Sequence, residues 1–214
     1  MRNLFGSLLL TLSLVAGFAH ALAAEPVAGT NYEVLKDAHP TSAPPGKVEV
    51  IEFFWYQDRN SYLLEPTIEA FVKKEGDRIL FKRVPVIVQE RFEPQSKLYY
   101  SLVQFGLEEK LMLAVYNEVQ KKNGLLSMAD QADFLATQGV DKLKFLEAYY
   151  SVSMHAQLRQ ATKLFEDYHI DYHIDALPTL VVAGRYKITP VNNGVDGMAT
   201  VLDYVVKQVQ DKKL

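Results

Sequence analysis

The chain has 214 residues, 49% hydrophobic and 23% charged, with 11 Gly and 9 Pro; this is the composition of a folded globular protein and excludes disordered, collagen-like and coiled-coil classes. Its 23 Lys and Arg against 26 Asp and Glu give a formal charge of -3, so no cationic excess exists to neutralise a run of phosphates and nucleic acid is not an expected partner. With 0 cysteines, the protein has no thiol of its own for disulfide exchange, an iron–sulfur cluster or a Cys-ligated zinc.

Residues 1–23 start with one cation, Arg2, continue through the apolar run Leu4 to Ala19, and end in Ala21-Leu22-Ala23 before Glu25-Pro26. This pattern predicts a cleaved secretory signal peptide, because the apolar run is short for a bilayer crossing and small residues flank the cut. A periplasmic or otherwise secreted protein follows. No later segment reaches the ~18 consecutive apolar residues of a membrane helix, so no span is expected after cleavage.

Tyr32 to Leu35 is a short candidate strand, followed by the Pro-rich connection Pro40 to Gly46, which cannot prolong it. Val48 to Tyr56 is β-branched and aromatic with little polarity, the pattern of a central parallel strand buried on both faces. Tyr62 to Lys74 places Leu64, Ile68, Phe71 and Val72 at helical spacing, and Pro66 within it predicts a kink or a late helix start. Arg78 to Val88 alternates as a second strand, completing a right-handed βαβ unit.

From Glu93 to about Tyr168 the periodicity is helical, with breaks at Gly106, Asn123-Gly124 and Gly139. Four or five amphipathic helices fit there, with N-termini at Ser127 and Asp141. Strand signals return in Thr179 to Ala183 and Tyr186 to Ile188, joined by a turn at Gly184-Arg185. A last helix spans about Met198 to Val209, its valines on one stripe. The order β, βαβ, helical block, ββα predicts an α/β domain split by an all-helical insertion: residues 24–92 and 169–214 form the domain and 93–168 the insertion.

These halves, with Leu177-Pro178-Thr179 entering the second hairpin, resemble the thioredoxin fold, and the helical block between them resembles the DsbA branch. Asn31 to Leu35 is similar to that family's N-terminal strand, Glu52-Phe53-Phe54 to the end of its central strand, and Val181 to Tyr186 to its hairpin. The resemblance implies a thiol:disulfide interchange role carried by a Cys-x-x-Cys after the central strand. Aligned on Glu52-Phe53-Phe54 and Glu65-Pro66, that tetrapeptide falls here on Asp58-Arg59-Asn60-Ser61. Without thiols there is no mixed disulfide to form, and redox inactivity is the expectation.

Asp58 is read as a helix N-cap, worth about 1 kcal/mol, with an acid or base beside Ser61 as the alternative. Arg59, Asn60 and Ser61 read as a solvated first turn, or as polar donors to an extended peptide. Glu52, mid-strand among Val50, Phe53 and Phe54, should be buried and therefore paired or protonated. The resemblance further implies a cis Pro178, a loop of Leu177, Pro178 and Thr179 that leaves a backbone edge for substrate, and a proton-moving role for the acid at Glu52.

Tyr168-His169-Ile170-Asp171 repeats at once as Tyr172-His173-Ile174-Asp175. Two histidines four apart suit a metal on a helix, but a third ligand is missing and a helix end before Pro178 is the simpler reading. No metal or cofactor is expected.

Three functions fit. The first is a redox-inactive exported protein that binds unfolded or specific polypeptides as chaperone or adaptor. The second is a glutathione-dependent isomerase or transferase, resembled through Ser61-Tyr62-Leu63. It would need to hold a thiolate near Asp58, at a cost of about 4 kcal/mol for charges 4 Å apart. The third is a structural protein whose partner docks on the insertion.

Overall fold

The computed structural model describes residues 24–121 and 124–214; the expected signal peptide lies outside them. The chain runs β1 (Glu33–Val34), β2 (Val48–Phe54), α1 (Arg59–Glu75), β3 (Ile79–Pro85), α2 (Glu93–Phe105), α3 (Glu108–Val119), α4 (Met128–Thr137), α5 (Lys142–Tyr149), α6 (Val152–Tyr172), β4 (Thr179–Val182), β5 (Tyr186–Ile188) and α7 (Pro190–Gln210). The five strands form one sheet in the order β1-β5-β4-β2-β3. β3 is parallel to β2, whereas β4 is antiparallel to both β2 and β5. All seven residues of β2 are buried, as its unbroken apolar and β-branched run requires of a strand covered on both faces.

One face of the sheet packs Val48, Val50, Leu180 and Val182 against Leu64 and Ile68 of α1 and Val201, Leu202 and Val205 of α7. The other packs Ile51, Phe53 and Val181 against Ala161, Phe165 and Tyr168 of α6. A third cluster lies in the helical block, and the end of β2 plugs into it. The Phe54 ring lies 5.1 Å from Tyr56, 5.3 Å from Tyr99 and 6.2 Å from Tyr116, each edge-on. Burying such a ring contributes about 1.5–3 kcal/mol, with about 0.5–1.5 kcal/mol more per aromatic pair.

Five helices occupy the block, and Ser127 and Asp141 cap α4 and α5 by accepting from the N–H of Asp130 and Lys144. α6 is one continuous helix of 21 residues that passes through the 168/169 boundary drawn from sequence. Helix α1 departs from expectation: it starts at Arg59 and continues through Pro66 to Glu75. The cap at Asp58 sets the start, and Pro66 forgoes only the one backbone bond that its N–H would have made. The hairpin turn sits one residue earlier than expected, with positive φ at Ala183 (52°) and Gly184 (64°). There the His39 N–H donates to the Gly184 carbonyl at 2.9 Å, and the backbones run so close that a Cβ on Gly184 would stand 2.2 Å from the His39 carbonyl oxygen. α7 starts at Pro190 and is interrupted at Gly194 (φ 60°, ψ 171°), which explains why only its later, valine-rich part was legible.

Candidate functional site

β2 ends at Phe54, and the turn Trp55–Gln57 carries the chain into α1, closed by the Asp58 N–H donating to the Trp55 carbonyl at 2.9 Å. Asp58 is in the extended region (φ -71°, ψ 126°) and its Oδ1 accepts from the Ser61 N–H at 2.6 Å. The Ser61 hydroxyl donates to the same oxygen at 2.9 Å. This is the geometry of an N-cap, in which a side chain supplies the acceptor that the first turn lacks. Burial pushes the Asp58 carboxyl above its usual range, against the opposing pull of the Ser61 and Asn60 donors.

Ser61 is fully buried. Its hydroxyl is directed at Asp58 and its Oγ also faces the Trp55 N–H at 3.5 Å, so it is not presented to a ligand as the glutathione reading requires. Arg59 is exposed and lies over the Tyr62 ring, 5.3 Å from its centroid. Asn60 is half-buried.

The helical block closes on this turn from one side. Gln120 Nε2 donates to the Tyr56 carbonyl at 2.9 Å, the Tyr62 hydroxyl donates to Asn117 Oδ1 at 2.8 Å, and the Gln57 side chain abuts Gly124. On the other side, β4 brings Thr179 opposite Phe53 in the ladder. That pairing places Leu177 and Pro178 at the end of the sheet where α1 begins. The Leu177–Pro178 peptide is cis, Leu177 is half-buried, and the Thr179 hydroxyl donates to the Ala176 carbonyl at 2.7 Å.

Beneath the turn, Glu52 is fully buried and is paired, as its position demanded. Its partner is Arg83, opposite it on β3, with Nε to Glu52 Oε2 at 3.0 Å. The same guanidinium reaches Glu65 Oε1 on α1 at 2.8 Å. Two carboxyls therefore share one cation in a nearly waterless place. Burial raises both carboxyls even though Arg83 pulls each of them down, and Glu65 is pushed up to about 8. Glu65 is therefore largely protonated at neutral pH, which lowers the net negative charge that two carboxylates around one guanidinium would bury.

Neither Arg83 nor Glu65 carries a sequence signal for this role. The pairing depends on the register that sets Glu52 of β2 opposite Arg83 of β3, which neither strand shows alone. The two histidines of the repeat are not brought together on a helix face. His169 is in the last turn of α6 with Nδ1 2.8 Å from the Ile174 carbonyl, whereas His173 is the left-handed cap beyond it. Among the described residues no group of three or more His, Cys, Asp or Glu is placed to hold a metal, and no helix is long and apolar enough to cross a membrane.

A mixed sheet with a central βαβ unit, a ββα half and an inserted helical block defines a thioredoxin-like protein, here with the Asp58 carboxylate and the Ser61 hydroxyl at the start of α1. The chain is 53% identical to the thiol:disulfide interchange protein DsbA of Burkholderia cepacia, over the whole of both sequences. It is 36% identical to DsbA of Pseudomonas syringae pv. tomato, over 87% of this chain and 86% of that one. Among solved structures, Pseudomonas aeruginosa DsbA superposes with a TM-score of 0.78 at 31% identity, covering 88% of this chain and 96% of that one. DsbA1 of Neisseria meningitidis in its reduced form gives 0.73 at 26% identity, covering 89% and 98%. No family model matches the chain. On these likenesses the chain belongs to the DsbA family of thiol:disulfide interchange proteins, as a member with no cysteine.

Proposed function

We propose that this protein is an exported, periplasmic member of the DsbA family that binds polypeptides instead of oxidising them. The observation that carries the reading is the Asp58–Ser61 pair: where the family resemblance places two thiols, a carboxylate and a hydroxyl bond each other and serve to start α1. Thiol:disulfide exchange needs a thiolate, and 0 cysteines are present. What remains is a binding surface. Leu177 and Pro178 lie just beyond the Phe53–Thr179 pair that ends the β2–β4 ladder, beside the turn, and the Leu177 backbone is where an extended chain would add. Arg59 and Asn60 offer polar contacts at the rim. The signal-like residues 1–23 support export, and an exported chaperone or adaptor for other exported polypeptides is the role this combination serves.

The test is photocrosslinking from Asn60 in the native envelope, with mass spectrometry of the captured species and Leu177→Asp as control. Captured polypeptides that disappear in the control support the reading. A folded protein that captures nothing at Asn60 sinks it and shifts attention to the helical block.

A further inference from the structure

β3 is an edge strand, and a cleft of about 950 Å³ runs beside it. Its floor includes Phe81, Arg83 and Val84, with α1 along one side and α6 along the other. Neither Asp58 to Ser61 nor the Leu177–Thr179 loop lines it. Val86 donates its N–H to the Phe54 carbonyl at 2.8 Å. In a parallel ladder backbone groups alternate with a period of two, so Val84 and Lys82 also face β2 while Phe81 and Arg83 turn their N–H and C=O to the open edge.

Natural edge strands are commonly blunted by an outward lysine or by proline. Here Lys82 is drawn onto Glu49 at 2.7 Å and Pro85 stands only at the far end, which leaves the middle of the edge unguarded.

The cleft carries more carboxyls than cations. Glu65, Glu69, Glu108 and Glu109 line it. Of its three cations, Lys82 is engaged by Glu49, Arg83 is shared by Glu52 and Glu65, and Lys73 stands exposed at the rim one helical turn from Glu69. Glu65 has a side chain only 3% exposed, and its Oε2 has no hydrogen-bond partner; Glu108 Oε2 is likewise buried and unpartnered. A buried carboxyl oxygen without a donor is costly, and both residues line the same cleft. Apolar walls from Val72, Phe81, Tyr99, Val103 and Leu164 surround these oxygens.

We propose that this cleft is a second polypeptide-docking site, taking an extended segment that adds to β3 and sets a lysine or arginine side chain against Glu108, with Glu69 and Glu109 beside it. The backbone edge selects an extended chain, the carboxyl oxygens select a cation, and the walls select aliphatic neighbours. The site goes beyond the Leu177 loop and does not depend on it.

The test uses the protein expressed from its complete reading frame and a fluorescein-labelled heptapeptide, Thr-Val-Thr-Lys-Thr-Val-Thr. Binding is read by anisotropy and located by amide chemical shifts. The lysine peptide should bind, with shifts at Phe81 and Arg83. Replacing its lysine by norleucine should weaken binding about tenfold, the scale of one charge-assisted contact. N-methylation of alternate peptide amides should weaken it further without touching the protein. The double change Glu69→Lys with Glu109→Lys alters two exposed side chains and should also lower affinity, whereas Leu177→Asp should leave it unchanged.

Four results would each overturn the proposal: equal binding of the lysine and norleucine peptides; shifts confined to Asp58–Ser61 and Leu177; no binding at about 1 mM, a weak-affinity ceiling; or n-butylammonium binding as well as the peptide, which would assign the cleft to small amines. Loss of crosslinking at Asn60 with peptide binding retained at β3 would remove the loop reading and leave this one standing.

Discussion

Asp58 Oδ1 accepts two hydrogen bonds from Ser61, one from its backbone N–H at 2.6 Å and one from its hydroxyl at 2.9 Å. The pair sits where the family resemblance places the two reactive positions, and it uses them to fix the first turn of α1. Asp58→Ala should therefore lower stability by about 1 kcal/mol, within about 0.5–2, and Asp58→Asn should retain most of the cap. Urea unfolding of the three proteins measures both; an alanine variant as stable as the parent would remove the capping role.

The spacing of the pair also has a redox consequence. Asp58→Cys combined with Ser61→Cys should produce two thiols that close to a disulfide under mild oxidant, with the first made acidic by the helix N-terminus. Thiol counting before and after oxidation checks this. Two thiols that stay free would show that the turn has lost the geometry as well as the chemistry.

Arg83 holds two buried carboxyls at once. Arg83→Met should destabilise the protein by about 3–5 kcal/mol, since it leaves the acids without their cation. Adding Glu52→Gln and Glu65→Gln to that variant should restore much of the loss. Thermal unfolding of the single and triple variants decides the matter, and a triple variant no more stable than the single one would argue against a charge origin.

Glu65 gives the pH dependence a sign. Its carboxyl is raised from 4.5 to about 8, so between those values the folded chain holds a proton that the unfolded chain releases. Stability should fall as pH rises through this window and level off above it, by an amount on the order of a few kcal/mol. Glu65→Gln should flatten that slope. Denaturant midpoints at pH 5 and 8.5 test it, and an unchanged slope would place the proton elsewhere, with Glu52 the next candidate.

Gly184 is constrained by both conformation and space, with φ at 64° and the His39 carbonyl where a Cβ would go. Gly184→Ala should lower stability by about 1–3 kcal/mol through strain and backbone displacement. An alanine variant with an unshifted melting temperature would mean that the β1–β2 connection yields freely.

The division into strands and helices was largely legible because the signals were local. Val48 to Phe54 is an uninterrupted buried run, and Ser127 and Asp141 are caps that announce themselves. Pro66 misled because a single missing donor weighs little once Asp58 has set the start and Leu64, Ile68 and Phe71 have set the buried face. The proline effect is local, whereas the packing that overrides it is not. Asp58 is read from sequence as the cap that it forms, whereas Ser61, expected in a solvated first turn, is fully buried because its N–H and hydroxyl both turn inward to Asp58. Arg83 was missed because its role arises only when two strands lie in register, and nothing in either strand alone marks it. The β3 edge was equally hidden, since which strand ends a sheet is a property of the whole topology.

Helix α6 crosses from the inserted block to the approach of Pro178 without a break, over 21 residues, a rod of roughly 30 Å. The block is thus tied to the sheet at both chain connections, by α6 through Ala161, Phe165 and Tyr168 and by the β3–α2 segment through Val86 on Phe54 and Phe92 on Trp55. Because Phe54 and Tyr56 are also packed among Leu98, Tyr99 and Tyr116, sheet and insertion share one interior and should melt as a single unit.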